Sequence, residues 1–428
     1  MYKRYPGLGA ALQIQAVFLW KGEKKMTALY IILGLLAAFI VITLIRAAFF
    51  TAPKPQREEF PPEQVNGQRA CDRLSQAIQI KTISCEDESQ TDWGAFDRFH
   101  AFLEQSYPLI HKNLKLDHIS TASLLFYWEG TDPDLDPIAF LAHQDVVPIS
   151  EGTEEDWEHP AFDGVNDGRF IWGRGALDMK NHLICLMESV ETLLEEGYTP
   201  KRGVYLCLGH NEEIVSGGNN GARELARELE RRGVHLDSVV DEGGAMLPAH
   251  VKGLLDANLT GVGVAEKGYA DFKITVKSKG GHSSQPPKHT AIRQLAKKVL
   301  CNLWLLRPVL KLVMKQIPPA ASLIRTTTGV TMASGSPAAN VLPQKASVTV
   351  NFRIMPGQTI ADVQRHIEKY MGGDNVEIEF IKGKEPSIVS PTDTRAFDTL
   401  RRLSVNLDEK NIVAPYLVMG GTDAYNYE

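Results

Sequence analysis

Residues 137–145, PIAFLAHQD, set a short apolar run directly against a histidine and an acid. An uncharged run of this length predicts a buried strand. The same grammar recurs at 203–213, GVYLCLGHNEE, and at 237–241, DSVVD. Between these runs, Leu183, Met187, Val190 and Leu194 fall at helical spacing over 180–196, and Gly197 ends the helix. Residues 218–232, rich in Arg and Glu, predict a second helix. Strands alternating with helices predict an α/β fold, a mixed and largely parallel sheet flanked by helices. In such sheets functional groups gather just beyond the carboxyl ends of the strands.

Three acid-bearing motifs fall at such places. His143 and Asp145 are two apart on an extended chain, so they point to one side. A metal-bound imidazole usually has its other nitrogen held by a carboxylate or carbonyl, which gives Asp145 a role beside His143. Alone the pair is a weak signal and reads more readily as a surface His and Asp. In GRGALDMK (173–180), Asp178 stands just before a helix and either caps it or serves as a ligand. In GHNEE (209–213), Glu212 and Glu213 would repel in a closed site unless a cation took one of them. Asp241 ends the run SVVD. His143, Asp178, Glu213 and Asp241 together offer one nitrogen and several oxygens. That mix suits zinc, with manganese or cobalt as alternatives.

Outward from this block the texture changes. Residues 262–277 and 346–353 alternate as strands do, and 290–305 read as helical. They predict an inserted α+β module over 261–372, between a first catalytic part at 67–260 and a returning part at 373–428. Residues 51–66, TAPKPQREEFPPEQVN, read as a linker. Residues 1–50 contain the uncharged run 26–45, MTALYIILGLLAAFIVITLI, long enough for an N-terminal transmembrane helix. Lys3 and Arg4 favour an N-terminus inside, which puts the rest outside the cytoplasm as a single-pass membrane protein. Secretion after signal cleavage is the alternative. The net charge of −6 argues against a nucleic-acid partner. The five cysteines form no CxxC pair, so neither a disulfide framework nor a thiolate site is expected. Cys185 and Cys207 sit in apolar runs and are expected to be buried and inert.

The ensemble resembles the co-catalytic zinc metallopeptidases that include carboxypeptidase S, aminoacylase and glutamate carboxypeptidase. The pieces that carry the resemblance are LAHQDVVP (141–148), the stretch from Trp157 to GRGALDMK, GHNEE, VVDEGG (239–244), GGHSSQP (280–286), the stretch from NVLP (340–343) to NFRIMPG (351–357), and MGGTDA (419–424). GHNEE and the apolar run look most like the carboxypeptidase S branch, which more often has Asp where Asn211 stands.

The resemblance implies a hydrolase with two zinc ions per subunit. It would cleave an amide or peptide bond beside a free carboxylate, or act as an N-acyl amino acid hydrolase. It implies that Asp178 bridges the metals, that His143 and Asp241 hold one and that Glu213 holds the other. Glu212 would be the general base and Asp145 the support of His143. His282, in the inserted lid and dimerisation domain, would steady the oxyanion, often across a homodimer. Asn340, Arg353 and Gly421 would contact the substrate, with Asn340 and Arg353 on its carboxylate. One departure stands out. The family has a further histidine ligand beyond GGTDA, whereas no histidine follows His366 here, and Tyr425 occupies an often basic position. The expectation is a fragment with its returning part truncated; the alternative is a catalytically impaired, membrane-tethered binding protein.

Overall fold

The apolar runs 137–142 and 203–208 lie side by side in the computed structural model, which describes residues 65–214, 219–244, 246–251, 255–277, 281–282, 325–336, 341–408 and 410–428, with Gly34, Ala38 and Val41. The chain divides into Met1–Arg57 and Glu58–Glu428, and everything below concerns the second unit. Its first elements are α1 (Gly67–Gln79), α2 (Trp93–Ser106), α3 (Pro108–Asn113), β1 (Lys115–Ile119), β2 (Ser123–Trp128), β3 (Ile138–His143), β4 (Val165–Asn166) and β5 (Ile171–Trp172). There follow α4 (Lys180–Glu195), β6 (Val204–Gly209), α5 (Gly221–Arg231), β7 (Ser238–Val240), β8 (Met246–Val251), β9 (Leu255–Glu266), β10 (Gly268–Lys277) and β11 (Gly281–His282). The last are β12 (Thr327–Ser334), β13 (Val341–Leu342), β14 (Lys345–Ile354), α6 (Ile360–Met371), β15 (Val376–Lys384), α7 (Arg395–Leu407) and β16 (Asn411–Val418).

The central sheet has the order β1-β2-β6-β3-β7. The pairs β3–β6 and β3–β7 are parallel, whereas β1–β2 and β2–β6 are antiparallel. The sheet is thus evenly mixed rather than largely parallel. The reason is the hairpin Lys115–Trp128, whose second strand runs against β6. Helices cover both faces, as expected. Leu183, Ile184, Met187 and Val190 of α4 pack with Phe99 and Leu103 of α2 on one face. Leu225 and Leu229 of α5 pack against Leu125, Leu141 and Cys207 on the other. Two buried acids of α4 are fully engaged: Glu188 pairs with Arg69 and Arg73, and Glu191 accepts the N–H groups of Leu109 and Ile110 at the start of α3. Cys207 is buried, but Cys185 is exposed because it falls on the outer side of α4 between core positions.

A second sheet, β12-β14-β10-β15, is antiparallel throughout. Strict alternation along β14 buries Val348, Val350 and Phe352 with Phe272 and Ile274 of β10 under Val363 and Ile367 of α6. The module boundaries differ from those read in the sequence. β9 pairs with β8 and β16, so the module's sheet begins after Lys267; β15 pairs with β10, so it extends to Lys384. The outgoing and returning crossings run together. Ser387 N–H donates to Glu266 O at 3.2 Å, Ser390 N–H to Val264 O at 2.7 Å, and Glu266 N–H to Ser387 Oγ at 2.7 Å.

Among the described residues no helix is long and apolar enough to cross a membrane. The run 26–45 lies outside the described residues except for Gly34, Ala38 and Val41; the expected helix at 290–305 and residues 51–64 of the expected linker 51–66 lie outside them too.

Candidate active site

The carboxyl ends of β3, β6 and β7 converge with the loop before α4, because β3 lies between β6 and β7 and all three run the same way. His143 ends β3 with its ring only 1% exposed. Its Nδ1 donates to the Asp145 carbonyl oxygen at 3.0 Å, so Nε2 is the nitrogen that faces the acids. From Nε2, Asp178 Oδ1 lies at 3.1 Å, Glu242 Oε1 at 3.7 Å and Glu212 Oε2 at 4.0 Å. His143, Asp178 and Glu213 form one group whose ligand atoms all lie within 4.8 Å of one another, and His143, Glu212 and Glu242 form another.

Asp145 organises the surrounding loops. It is fully buried, accepts the Ser84 hydroxyl at 2.7 Å, and accepts the N–H groups of Glu212 and Glu213, each at 3.2 Å. Burial works against its charge, but His143 and Ser84 hold its carboxyl below the usual range. Burial also works against the His143 imidazolium, yet Asp145, Asp178 and Glu212 raise its pKa well above the ordinary value. Asp178, on the exposed lip of the loop, is held low chiefly by its hydrogen bond to His143. Behind that loop Lys180 is 1% exposed and donates to the carbonyls of Ala77 at 2.9 Å and Ile80 at 2.6 Å. It thereby ties the end of α1 to the segment carrying Asp178, and burial pushes its pKa down to about 7.

The remaining acids move the other way. Burial pushes Glu212 up to about 9, reinforced by Asp423 and Glu242. Burial pushes Glu242 up to about 7, reinforced by Asp178 and Asp241. Glu213 is raised by burial and by the Asp178 charge, and Asp423 is raised well above its usual range by burial and Asp241. Carboxylates crowded this closely repel unless a cation shares them. One imidazole nitrogen and several carboxylate oxygens within mutual reach suit a divalent cation of the zinc, manganese or cobalt type. On this observation the donor set fits a metal.

Asp241 belongs to neither close group. Its Oδ2 accepts the Ala424 N–H at 2.6 Å, which links the end of β7 to the 3₁₀ turn Asp423–Tyr427. Glu242 and Asp423 were given no role in the sequence reading. The signal for both was available: Glu242 follows Asp241 in VVDEGG, and Asp423 is the acid of GGTDA. Gly209 makes room for the latter, since a Cβ there would lie 3.0 Å from Asp423 Oδ2.

The residues expected on the inserted module are described unevenly. His282 lies in β11, its backbone paired with Val341 of β13; its side chain and Asn340 fall outside the described residues. Arg353 sits on β14 with its guanidinium over the Tyr269 ring, 5.2 Å from the centroid. Gly421 lies beside Glu266 and Lys384: a Cβ there would be 3.5 Å from Glu266 Oε2 and 3.7 Å from Lys384 Nζ.

A buried imidazole ringed by acids at the strand ends of a helix-covered sheet defines the class: a metal-dependent hydrolase with an inserted second sheet. Residues 139–428 match the family model described as peptidase family M20/M25/M40. The chain is 32% identical over 440 residues to "Probable carboxypeptidase S-like 2" of Dictyostelium discoideum, covering 93% of this chain and 84% of that protein. It is 33% identical to "N-fatty-acyl-amino acid synthase/hydrolase PM20D1" of Mus musculus, covering 83% and 77% respectively. Its fold is similar to that of the M20 family metallo-carboxypeptidase Sso-CP2 from Sulfolobus solfataricus, with a TM-score of 0.59 at 18% identity over 84% of this chain and 88% of that one. The chain therefore belongs to peptidase family M20/M25/M40.

Proposed function

We propose that this hydrolase cleaves an amide bond adjacent to a free carboxylate, in the manner of a carboxypeptidase. The observation that carries the reading is the convergence of Asp178, Glu212 and Glu242 within 4.0 Å of one imidazole nitrogen. In this reading His143, Asp178, Glu213 and Asp241 hold two divalent ions, zinc by donor type, and Glu242 is a further donor. When bound, such ions lower the pKa of water and polarise a carbonyl. The chain's own residues do the rest. Asp145 fixes the His143 ring, Glu212 takes and later returns a proton, and His282 steadies the oxyanion. Asn340, Arg353 and Gly421 hold the substrate, with Asn340 and Arg353 on its carboxylate. A planar guanidinium suits two-point binding of a carboxylate.

A second reading, an N-acyl amino acid hydrolase, is supported by the similarity to the N-fatty-acyl-amino acid synthase/hydrolase. Two further proposals come from the sequence. The apolar run 26–45 serves as a membrane tether with the catalytic part outside the cytoplasm, and the inserted module joins two copies. The test is metal analysis with a hydrolysis assay on dipeptides and N-acyl amino acids. Expected is turnover that a chelator abolishes and added zinc restores, with the preferred substrate choosing between the two readings. Bound metal without turnover of either would sink the enzymatic reading and leave a binding protein.

A further inference from the structure

Lys384 closes β15 and stands opposite Tyr269 of β10. Tyr269 stands opposite Arg353 of β14. Directly opposed residues project from the same sheet face, so Arg353, Tyr269 and Lys384 form one row across three strands. Their neighbours Ala270 and Phe352 point the other way, into the core under α6. The row is therefore on the face that α6 leaves uncovered.

The Lys384 end of the row meets the loop beside the acids. Its ammonium lies 3.7 Å from the centroid of the Tyr425 ring. Gly421 lies against it, since a Cβ there would be in ordinary contact with Nζ at 3.7 Å. Burial pushes its pKa down, and the charges of Glu266, Asp423 and Glu212 oppose that shift. Arg353 lies two strands further along the row, about 10 Å at ordinary strand spacing.

Glu266 is the obvious partner for Lys384, but the geometry leaves that pairing incomplete. Glu266 Oε1 accepts the N–H and the hydroxyl of Thr422. Glu266 Oε2 is 3.8 Å from Lys384 Nζ, beyond hydrogen-bond length, and is a buried oxygen without a hydrogen-bond partner. An ammonium has three donors, and that of Lys384 is not hydrogen-bonded to any described residue. It has the Tyr425 ring as an aromatic platform, Gly421 beside it and donor capacity left over.

We propose that Lys384, held between Tyr425 and Gly421, binds the free carboxylate of the substrate and so determines specificity for carboxylate-bearing amides. The proposal rests on the reading of the site as an amidase acting beside a carboxylate. It puts the nearer cation of the row, rather than Arg353 alone, on that group.

The experiment compares metal-loaded full-chain wild type with Lys384→Met and Lys384→Arg, on an N-acyl amino acid and on its C-terminal carboxamide. In Lys384→Met, kcat/KM for the carboxylate substrate should fall about 30-fold or more, mainly through KM. The carboxamide should change less than about two-fold, since it offers no charge to lose. Lys384→Arg should recover most of the loss. Equal losses on both substrates, or none on either, would overturn the proposal. Glu266→Gln should keep the preference for the carboxylate; if it abolishes that preference, the ion pair and not Lys384 is responsible. Calorimetric titration with the free amino acid product runs in parallel. A ten-fold weaker affinity in Lys384→Met supports the assignment even in a chain without turnover, and an unchanged affinity overturns it. Absence of turnover in the wild type counts against the amidase reading alone.

Discussion

Glu212 and Glu213 hang their backbone N–H groups on one buried carboxylate, that of Asp145, yet turn their own carboxylates to different neighbours. Glu213 joins Asp178, while Glu212 faces Glu242 across His143. Replacing Glu212 with Gln keeps the shape and the backbone bonds but removes the proton acceptor. Glu212→Gln should lower kcat about 10²- to 10⁴-fold while metal content by elemental analysis stays at the wild-type level. The same variant gives a pH test. Glu212 titrates near 9 in the folded chain against an ordinary value of 4.5. Between those values the folded protein holds a proton that the unfolded chain has released, so its contribution to stability falls as pH rises. In chelator-treated protein, Glu212→Gln should therefore melt higher than wild type at pH 8. The gap should close towards pH 4.5, at roughly 2–4 °C per kcal/mol relieved. A gap of constant size across that range would remove Glu212 from the buried cluster. The sequence singled out His143, Asp145 and the two glutamates only through their joint placement at successive strand ends, because each motif alone also reads as solvated surface groups. It could not say which of Asp241 and Glu242 turns towards His143. The two-residue alternation of a strand stops where the loop begins, and adjacent acids after that point are equivalent on paper.

At the scale of elements, helices packed on a sheet were readable and strand partners were not. α4 follows from Leu183, Met187 and Val190 at 3.6-residue spacing, a local signal. β15 alternates just as well, but alternation says only that a strand has two faces. That its partner is β10, distant in the chain, depends on contacts that no local pattern encodes. The hairpin β1–β2, which makes the central sheet mixed, escaped for the same reason. The join between α5 and β6 is a place where packing can be tested. A Cβ on Gly221 would fall 2.4 Å from the His210 backbone nitrogen and 2.3 Å from Ser123 Oγ, so the helix could not keep its seat. Gly221→Ala should cost about 1–3 kcal/mol, read as a lower melting temperature, although Ala normally favours a helix interior over Gly. An unchanged or raised melting temperature would mean that the start of α5 is not pressed against β6.

Across the whole molecule, the catalytic sheet and the inserted module carry different parts of the proposed chemistry, with the acids at the strand ends of the first, Arg353 and Lys384 on the four-stranded module sheet, and His282 on the separate two-stranded ribbon β11–β13. If His282 serves the site of a second copy, two inactive chains should complement. Differently tagged His282→Ala and Glu212→Gln chains, co-expressed and purified through both tags, should recover up to about half of wild-type turnover, since one of two sites is rebuilt. Activity no higher than the sum of the separate variants would confine His282 to its own chain.

The paired crossings at 264–266 and 387–390 have a mechanical consequence. Two chain segments stapled side by side behave like the spine of a book: they resist shear and twist because their mutual hydrogen bonds would break, but they bend about the line between them. Lys384 and Tyr269 stand on the two strands that meet at this spine and Arg353 stands one strand further out, so bending there would displace Arg353 more than Lys384.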